Sequence, residues 1–233
     1  MAEETYILKK RAAEETLKYI KDGMVIGLGS GSTVKVFIDL LGKKISEEGY
    51  VIYFISSSID TSIYASSKGL KETTFLEHEP ELAVDGADHV LPGLVLIKGG
   101  GGAFLREKIV DYYSKEYFII VDETKLSPLR DSFKVPIEVF PQAFKLVMKK
   151  VLEMSEVVNA ELRIAGRGKL GPVITDNGNF VLDLYMVNIK DWEKLEVELN
   201  SIPGVLENGV FAKKKPSKIF VGKKDGVVVL QET

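Results

Sequence analysis

Short apolar runs recur through the first half of this chain, and each stops on a cluster of polar residues or glycine. Residues 24–28 stop at Gly29-Ser-Gly-Ser-Thr33, residues 51–55 at Ser56, Ser57 and Ser58, and residues 82–84 at Asp85. Residues 94–97 stop at Lys98, and residues 117–121 at Asp122. Runs this short and this uniformly apolar read as strands covered on both faces. Between them the spacing becomes helical: 3–22, where Ile7, Leu8, Ala12, Leu17 and Ile20 share a face, then 34–45, 60–68 and 102–116. Strands alternating with helices predict a mostly parallel sheet wrapped by helices. In such sheets ligands gather beyond the carboxyl ends of the strands, where these polar clusters fall.

From about residue 131 the rhythm changes. Residues 135–139 read as a strand, 142–154 as a helix with Pro141 near its start, and 157–164 as a strand. Residues 173–175 and 180–186 flank Asp176-Asn-Gly178, a hairpin turn signal. A helix over 191–200 and a strand over 205–211 complete a β-α-β-β-α-β order, which predicts a small ferredoxin-like unit. Strands at 218–221 and 227–230 are expected to rejoin the first sheet. The expected fold is therefore α/β: a Rossmann-like catalytic domain of residues 1–130 and 207–233, with an inserted α+β domain of residues 131–206 serving as lid or oligomerisation unit. Lys213-Lys-Lys215 reads as a solvated loop.

Composition narrows the function classes. With 233 residues the chain can bury a large core, and a formal charge of -3 offers no basic surface for non-specific nucleic-acid binding. There is no cysteine, which excludes disulfides, a thiolate nucleophile and a cysteine metal site. No apolar run reaches the roughly 20 residues of a membrane span, and the acidic start lacks a secretory signal, so a cytoplasmic protein is expected.

The densest chemical signal is Lys98-Gly-Gly-Gly-Gly-Ala-Phe-Leu-Arg-Glu107. Consecutive glycines contribute nothing to a core, and a bare backbone opening a helix suits an anion. A carboxylate held in that helix suggests proton transfer on a small phosphorylated molecule, although spacing alone reads Glu107 as an exposed helix residue. Ser30, Gly31, Ser32 and Thr33 could hold a phosphate or sugar hydroxyls, or could simply cap the helix that follows. They match neither a Walker A loop, which needs a lysine before the hydroxyl residue, nor the dinucleotide fingerprint, which needs glycine at Ser32. Asp85-Gly-Ala-Asp88 could supply acid and base, bind hydroxyls, hold a metal or form an Asx turn. Metal spacing is weak, since His78 and His89 are the only histidines, and His89 reads as a loop residue. Lys125 could add positive charge or sit on the surface.

Taken in order, Gly29-Ser-Gly-Ser-Thr33, Asp85-Gly-Ala-Asp88, the Lys98–Glu107 segment and Thr175-Asp-Asn-Gly-Asn179 resemble the signatures of ribose-5-phosphate isomerase type A. The likeness runs from the Lys9-Lys10 helix to the closing strands. What it implies is an aldose-ketose isomerase interconverting ribose 5-phosphate and ribulose 5-phosphate, working without metal or organic cofactor as a homodimer or homotetramer. Glu107 would be the base of a cis-enediol mechanism, with Asp85, Asp88 and Lys98 beside it. Ser30 to Thr33, the segment Asp85, Gly86, Ala87 and Asp88, and Lys98, Gly99, Gly100 and Gly101 would bind substrate with Lys125 and Lys9. His89, where many members carry an acid, and Phe104 depart from the pattern. A sugar-sensing regulator is a rival reading, but too few residues precede the first strand for a helix-turn-helix. Amino-sugar phosphate isomerases and nicotinamide enzymes fit the two histidines and the serine loop less well.

Overall fold

The computed structural model describes residues 2–126 and 133–232. In chain order its elements are α1 (Ala2–Leu17), β1 (Val25–Leu28), α2 (Ser32–Glu48), β2 (Tyr53–Ser56), α3 (Ile59–Ser67), β3 (Lys71–Glu72), β4 (Leu82–Asp85), β5 (His89–Leu91), β6 (Val95–Ile97), α4 (Phe104–Tyr113) and β7 (Glu116–Asp122). There follow β8 (Phe133–Val139), α5 (Phe144–Val151), β9 (Val157–Leu162), β10 (Phe180–Met186), α6 (Trp192–Asn200), β11 (Val205–Asn208), β12 (Val210–Phe211), β13 (Lys218–Lys223) and β14 (Gly226–Leu230).

The main sheet runs β14-β13-β7-β4-β1-β2-β3 and is parallel except for the β13–β14 pair. Both faces are covered at its centre, which is why β1, β4 and β7 are almost wholly apolar and buried, while the edge strand β3 is exposed and β14 partly so. Ile26, Leu28 and Phe54 pack with Phe37 and Leu41 of α2 on one side. Val25, Ile55 and Ile119 pack with Phe104 and Val110 of α4 on the other. Each such large side chain contributes about 1.5–3 kcal/mol on burial. Helix α1 lies so close to β13 that a Cβ on Gly222 would come 1.9 Å from the Leu8 carbonyl oxygen. It ends at Leu17, short of the expected residue 22, and Ile7 faces solvent.

The chain leaves β1 for β2 on one side and later returns to place β4 on the other, so the strand order switches direction between β1 and β4. That crevice is where a parallel α/β sheet exposes loops to a ligand.

Three expectations are corrected. Residues 95–97 belong not to the parallel sheet but to a small antiparallel one, β12-β6-β5. Only the three residues Pro92–Leu94 join β5 to β6, too few for a parallel crossover. His89 accordingly starts a strand rather than lying in a loop. The expected strand 205–211 breaks at Gly209, whose backbone donates to the Pro136 carbonyl and accepts from Lys98 N. A Cβ there would lie 2.4 Å from the Lys98 carbonyl oxygen, so the chain passes from one sheet to another at glycine.

Residues 133–208 build the β-α-β-β-α-β unit, with strand order β11-β8-β10-β9 over a core of Val135, Ile137, Leu182, Leu184 and Leu199. The turn at 176–178 closes as expected, but 173–175 form no ladder with β10, because β8 and β9 already occupy both of its edges. The domain boundary expected at 130/131 lies outside the described residues, and 206/207 falls within β11. β13 and β14 do rejoin the main sheet.

Candidate active site

A cleft of about 190 Å³ opens at the β1–β4 switch. Four loops and residues of the helices α1, α2 and α4 build it. After β1, Gly29 fits because a Cβ would overlap Asp85 Oδ1 at 1.7 Å, and Ser30 N donates to that oxygen at 3.1 Å. Gly31 then takes φ 98° and hands the chain to α2, whose N-terminus has no side-chain cap. Ser32 and Thr33 face the cleft beside those unclaimed N–H groups, so the simple capping reading does not describe this loop. Lys9 reaches over from α1 and donates to Ser32 Oγ at 2.9 Å.

The loop after β4 contributes Gly86, Ala87 and Asp88 to the lining, and Asp88 Oδ2 accepts from Gly100 N at 2.7 Å. Asp85 is fully buried and does not border the cleft. The two aspartates, paired in sequence, therefore sit differently. Lys98, Gly99, Gly100 and Gly101 form a third wall, and Lys125, in a short turn after β7, a fourth. Gly99 has φ 102°, and a Cβ would meet Phe104 and Pro136 at 2.6 Å. The glycine run is thus partly a steric necessity, while Gly101 meets nothing within 4 Å and leaves open backbone at the cleft.

At the bottom sits a charge cluster. Lys98 Nζ lies 2.9 Å from Asp85 Oδ2 and 3.3 Å from Glu107 Oε2, and donates to the Gly86 carbonyl. Glu107 is only 6% exposed yet lines the cleft, which overturns the exposed-residue reading that spacing favoured. Burial pushes Glu107 up to about 8, Lys98 opposing the rise and Asp85 adding to it. Burial likewise raises Asp85. Lys98 loses hydration too, but Asp85, Glu107 and Asp111 around it outweigh that loss and hold its pKa above the ordinary lysine value. The donor set of N–H groups, hydroxyls and lysines suits an anion. Among the described residues no group of three or more His, Cys, Asp or Glu is arranged to hold a metal.

Several supporting residues carry no local signal. Asp111, one helical turn beyond Glu107, is fully buried, and neither carboxylate oxygen has a hydrogen-bond partner among the described residues. Burial drives its pKa well above the ordinary aspartate value, with Asp85 adding to the rise. Arg163 donates to the carbonyls of Gly99 at 2.9 Å and Gly100 at 3.1 Å, and pairs with Asp183. Ser30 Oγ joins Ser57 Oγ at 2.8 Å and Ser58 Oγ at 2.9 Å, a task the serine triplet after β2 did not announce. Lys214, read as part of a solvated run, instead donates to the carbonyls of Tyr112 at 2.8 Å and Ser114 at 2.7 Å, closing the end of α4.

Comparison with known proteins agrees with the geometry. Residues 53–226 match the family model described as ribose 5-phosphate isomerase A (phosphoriboisomerase A). The chain is 45% identical over 227 residues to ribose-5-phosphate isomerase A of Methanocaldococcus jannaschii, covering 97% of this chain and 98% of that one. To the Methanococcus maripaludis protein of the same name it is 46% identical over 228 residues, covering 97% and 93%. The solved M. jannaschii structure superposes with a TM-score of 0.91 at 44% identity, again covering 97% and 98%. A D-ribose-5-phosphate isomerase in complex with phospho-erythronic acid also gives 0.91, at 43% identity over the same shares. Fold, motif order and full-length similarity coincide: the chain belongs to the ribose 5-phosphate isomerase A family.

Proposed function

We propose that the protein interconverts ribose 5-phosphate and ribulose 5-phosphate, with Glu107 moving the proton. The observation that carries this reading is the Glu107 carboxylate: buried, facing the cleft, and 3.3 Å from Lys98. A carboxylate whose pKa burial lifts to about 8 is a far stronger base than one in water. It takes the proton from C2 of the open-chain aldose. The C–H electrons form the C1–C2 double bond, and the carbonyl oxygen takes the negative charge. A proton passes from the C2 hydroxyl to that oxygen, and Glu107 returns its own proton to C1, leaving the ketone at C2. One carboxylate working on one face of the substrate gives a cis-enediol intermediate.

Lys98 and the glycine N–H groups are the candidates to face the developing oxyanion, each such contact being worth about 3 kcal/mol. Lys98 already balances two carboxylates, so the phosphate is better placed at the uncapped N-terminus of α2 with Lys9, Ser32 and Thr33. Lys125 adds charge to the cleft wall. Of the two aspartates only Asp88 borders the cleft, so ring opening is assigned to Asp88 and the holding of Lys98 to Asp85. The relative solved with phospho-erythronic acid, a phosphorylated hydroxy acid, supports a cleft that takes a sugar phosphate with an anionic end.

We further infer a homo-oligomer, with residues 131–206 as its inserted unit, and a cytoplasmic setting, because phosphorylated sugars do not cross membranes unaided. No helix among the described residues is long and apolar enough to span a bilayer.

The test is an isomerase assay in EDTA with no added cofactor. Wild-type protein should convert the aldose phosphate, and Glu107→Gln should lose at least about 100-fold in kcat. Wild-type turnover in the variant would remove Glu107 from the reaction. Asp88→Asn should be slower on cyclic substrate; an unchanged rate would remove Asp88 from ring opening.

A further inference from the structure

The turn 175–179 carries one of the four motifs, borders no part of the cleft, and enters none of the chemical steps above. Its anchoring is costly. Glu138 on β8 is fully buried, and one of its carboxylate oxygens accepts from Thr175 Oγ1 at 2.8 Å, Asn177 Nδ2 at 3.0 Å and Asn179 Nδ2 at 2.8 Å. The other oxygen has no hydrogen-bond partner among the described residues. Burying a half-satisfied carboxylate is an expensive way to make a turn. The turn closes without it: Thr175 N donates to the Asn179 carbonyl and Gly178 N to the Thr175 carbonyl, each at 2.9 Å. The network therefore fixes where the turn sits rather than whether it forms.

From that place the turn reaches the elements around the cleft. Asn177 Oδ1 accepts from Arg106 Nε at 2.7 Å, and the Asp176 carbonyl accepts from Arg106 Nη2 at 3.1 Å. The Asp176 carboxylate accepts from Ile59 N at 2.8 Å, at the start of α3. Arg106 precedes Glu107, and neighbouring helical residues leave the axis about 100° apart, so one points outward while the other points to Lys98. The N-terminus of α4 has no side-chain cap at Ala103. Its first turn is held inside by Phe104 under Gly99 and outside by Arg106.

We propose that the turn 175–179 is a brace for the helix that carries the base. Asn177, held by Glu138, positions Arg106, and Arg106 fixes the first turn of α4 so that Glu107 keeps its angle to the substrate carbon. None of the three touches the cleft, so they are positioning residues. This proposal rests on the reading of Glu107 as base, and two readouts keep the two claims apart.

Amide hydrogen exchange over residues 104–108 reads the brace alone. It should quicken in Arg106→Ala and in Asn177→Ala, both changes at side chains that reach solvent and that leave the core intact. Turnover reads the consequence. Each variant should lose about 10-fold in kcat with KM within about twofold, the scale of a small misplacement of a reacting group. The double variant should be no slower than either single, and Arg106→Lys should recover part of the loss. Unchanged exchange in both variants overturns the brace, whatever the identity of the base. Faster exchange with unchanged kcat overturns the positioning role, and multiplicative losses in the double variant overturn the route through Asn177. Full activity in Glu107→Gln would instead sink the base assignment and leave the exchange result standing.

Discussion

Lys98 stands among three buried carboxylates, Asp85, Glu107 and Asp111, and this imbalance governs how the site responds to pH. One cation cannot neutralise three anions in a desolvated setting, so the cluster retains protons that the unfolded chain would release, and it titrates as a unit. All three carboxyl groups are shifted upward in the folded state. A raised folded pKa stabilises the protein below the unfolded value and loses that contribution as pH climbs through the folded value. The melting temperature should therefore fall between pH 4.5 and about 8, the range over which Glu107 is shifted. Glu107→Gln should flatten that slope without abolishing it, since burial shifts Asp85 and Asp111 in the same direction. A melting temperature that rises steadily over this range would contradict the charge arrangement. Catalysis should show the opposite trend, with kcat/KM climbing towards pH 8 as the base ionises.

At the scale of elements, the glycine loop combines two requirements that the sequence does not separate. Gly99 is steric: its φ of 102° and its contact with Phe104 leave no room for a side chain. Gly101 is open, with no neighbouring atom within 4 Å of where a Cβ would stand. Gly99→Ala should therefore destabilise the fold by about 1–3 kcal/mol, the usual cost of overpacking with an unfavourable backbone. Gly101→Ala should leave the melting temperature within about a degree and raise KM, because only ligand approach is affected. Denaturant titration and steady-state kinetics on the pair would distinguish them; equal stability losses would mean that the loop is structural throughout. The strands 24–28 and 82–84 were legible because uniform apolar runs demand burial on both faces. The small sheet β12-β6-β5 was less so, since its strands of two or three residues carry almost no periodicity, although the brief Pro92–Leu94 connection already demanded an antiparallel pair.

For the whole molecule, the cleft depends on parts far apart in the chain. Arg163 and Asp183 of the inserted unit hold the glycine loop, Lys9 comes from the first helix, and Gly209 lets the chain return beside Lys98. That unit also exposes Leu146, Val158, Ile164 and Leu170, an apolar surface that the proposed homo-oligomer could use. Light scattering should give a mass of two or four chains, and a monomer at micromolar concentration would refute the oligomer. By itself the sequence determined most of the elements, the parallel main sheet and the loops that line the cleft, because apolar runs, glycines and turn residues act on their immediate neighbours. Only the tertiary structure decided which charges are buried together. The helix pattern left Glu107 on the surface, Asp111 and Arg163 unremarked and Lys214 in solvent, since burial and electrostatic environment come from partners that the chain brings together only when it folds.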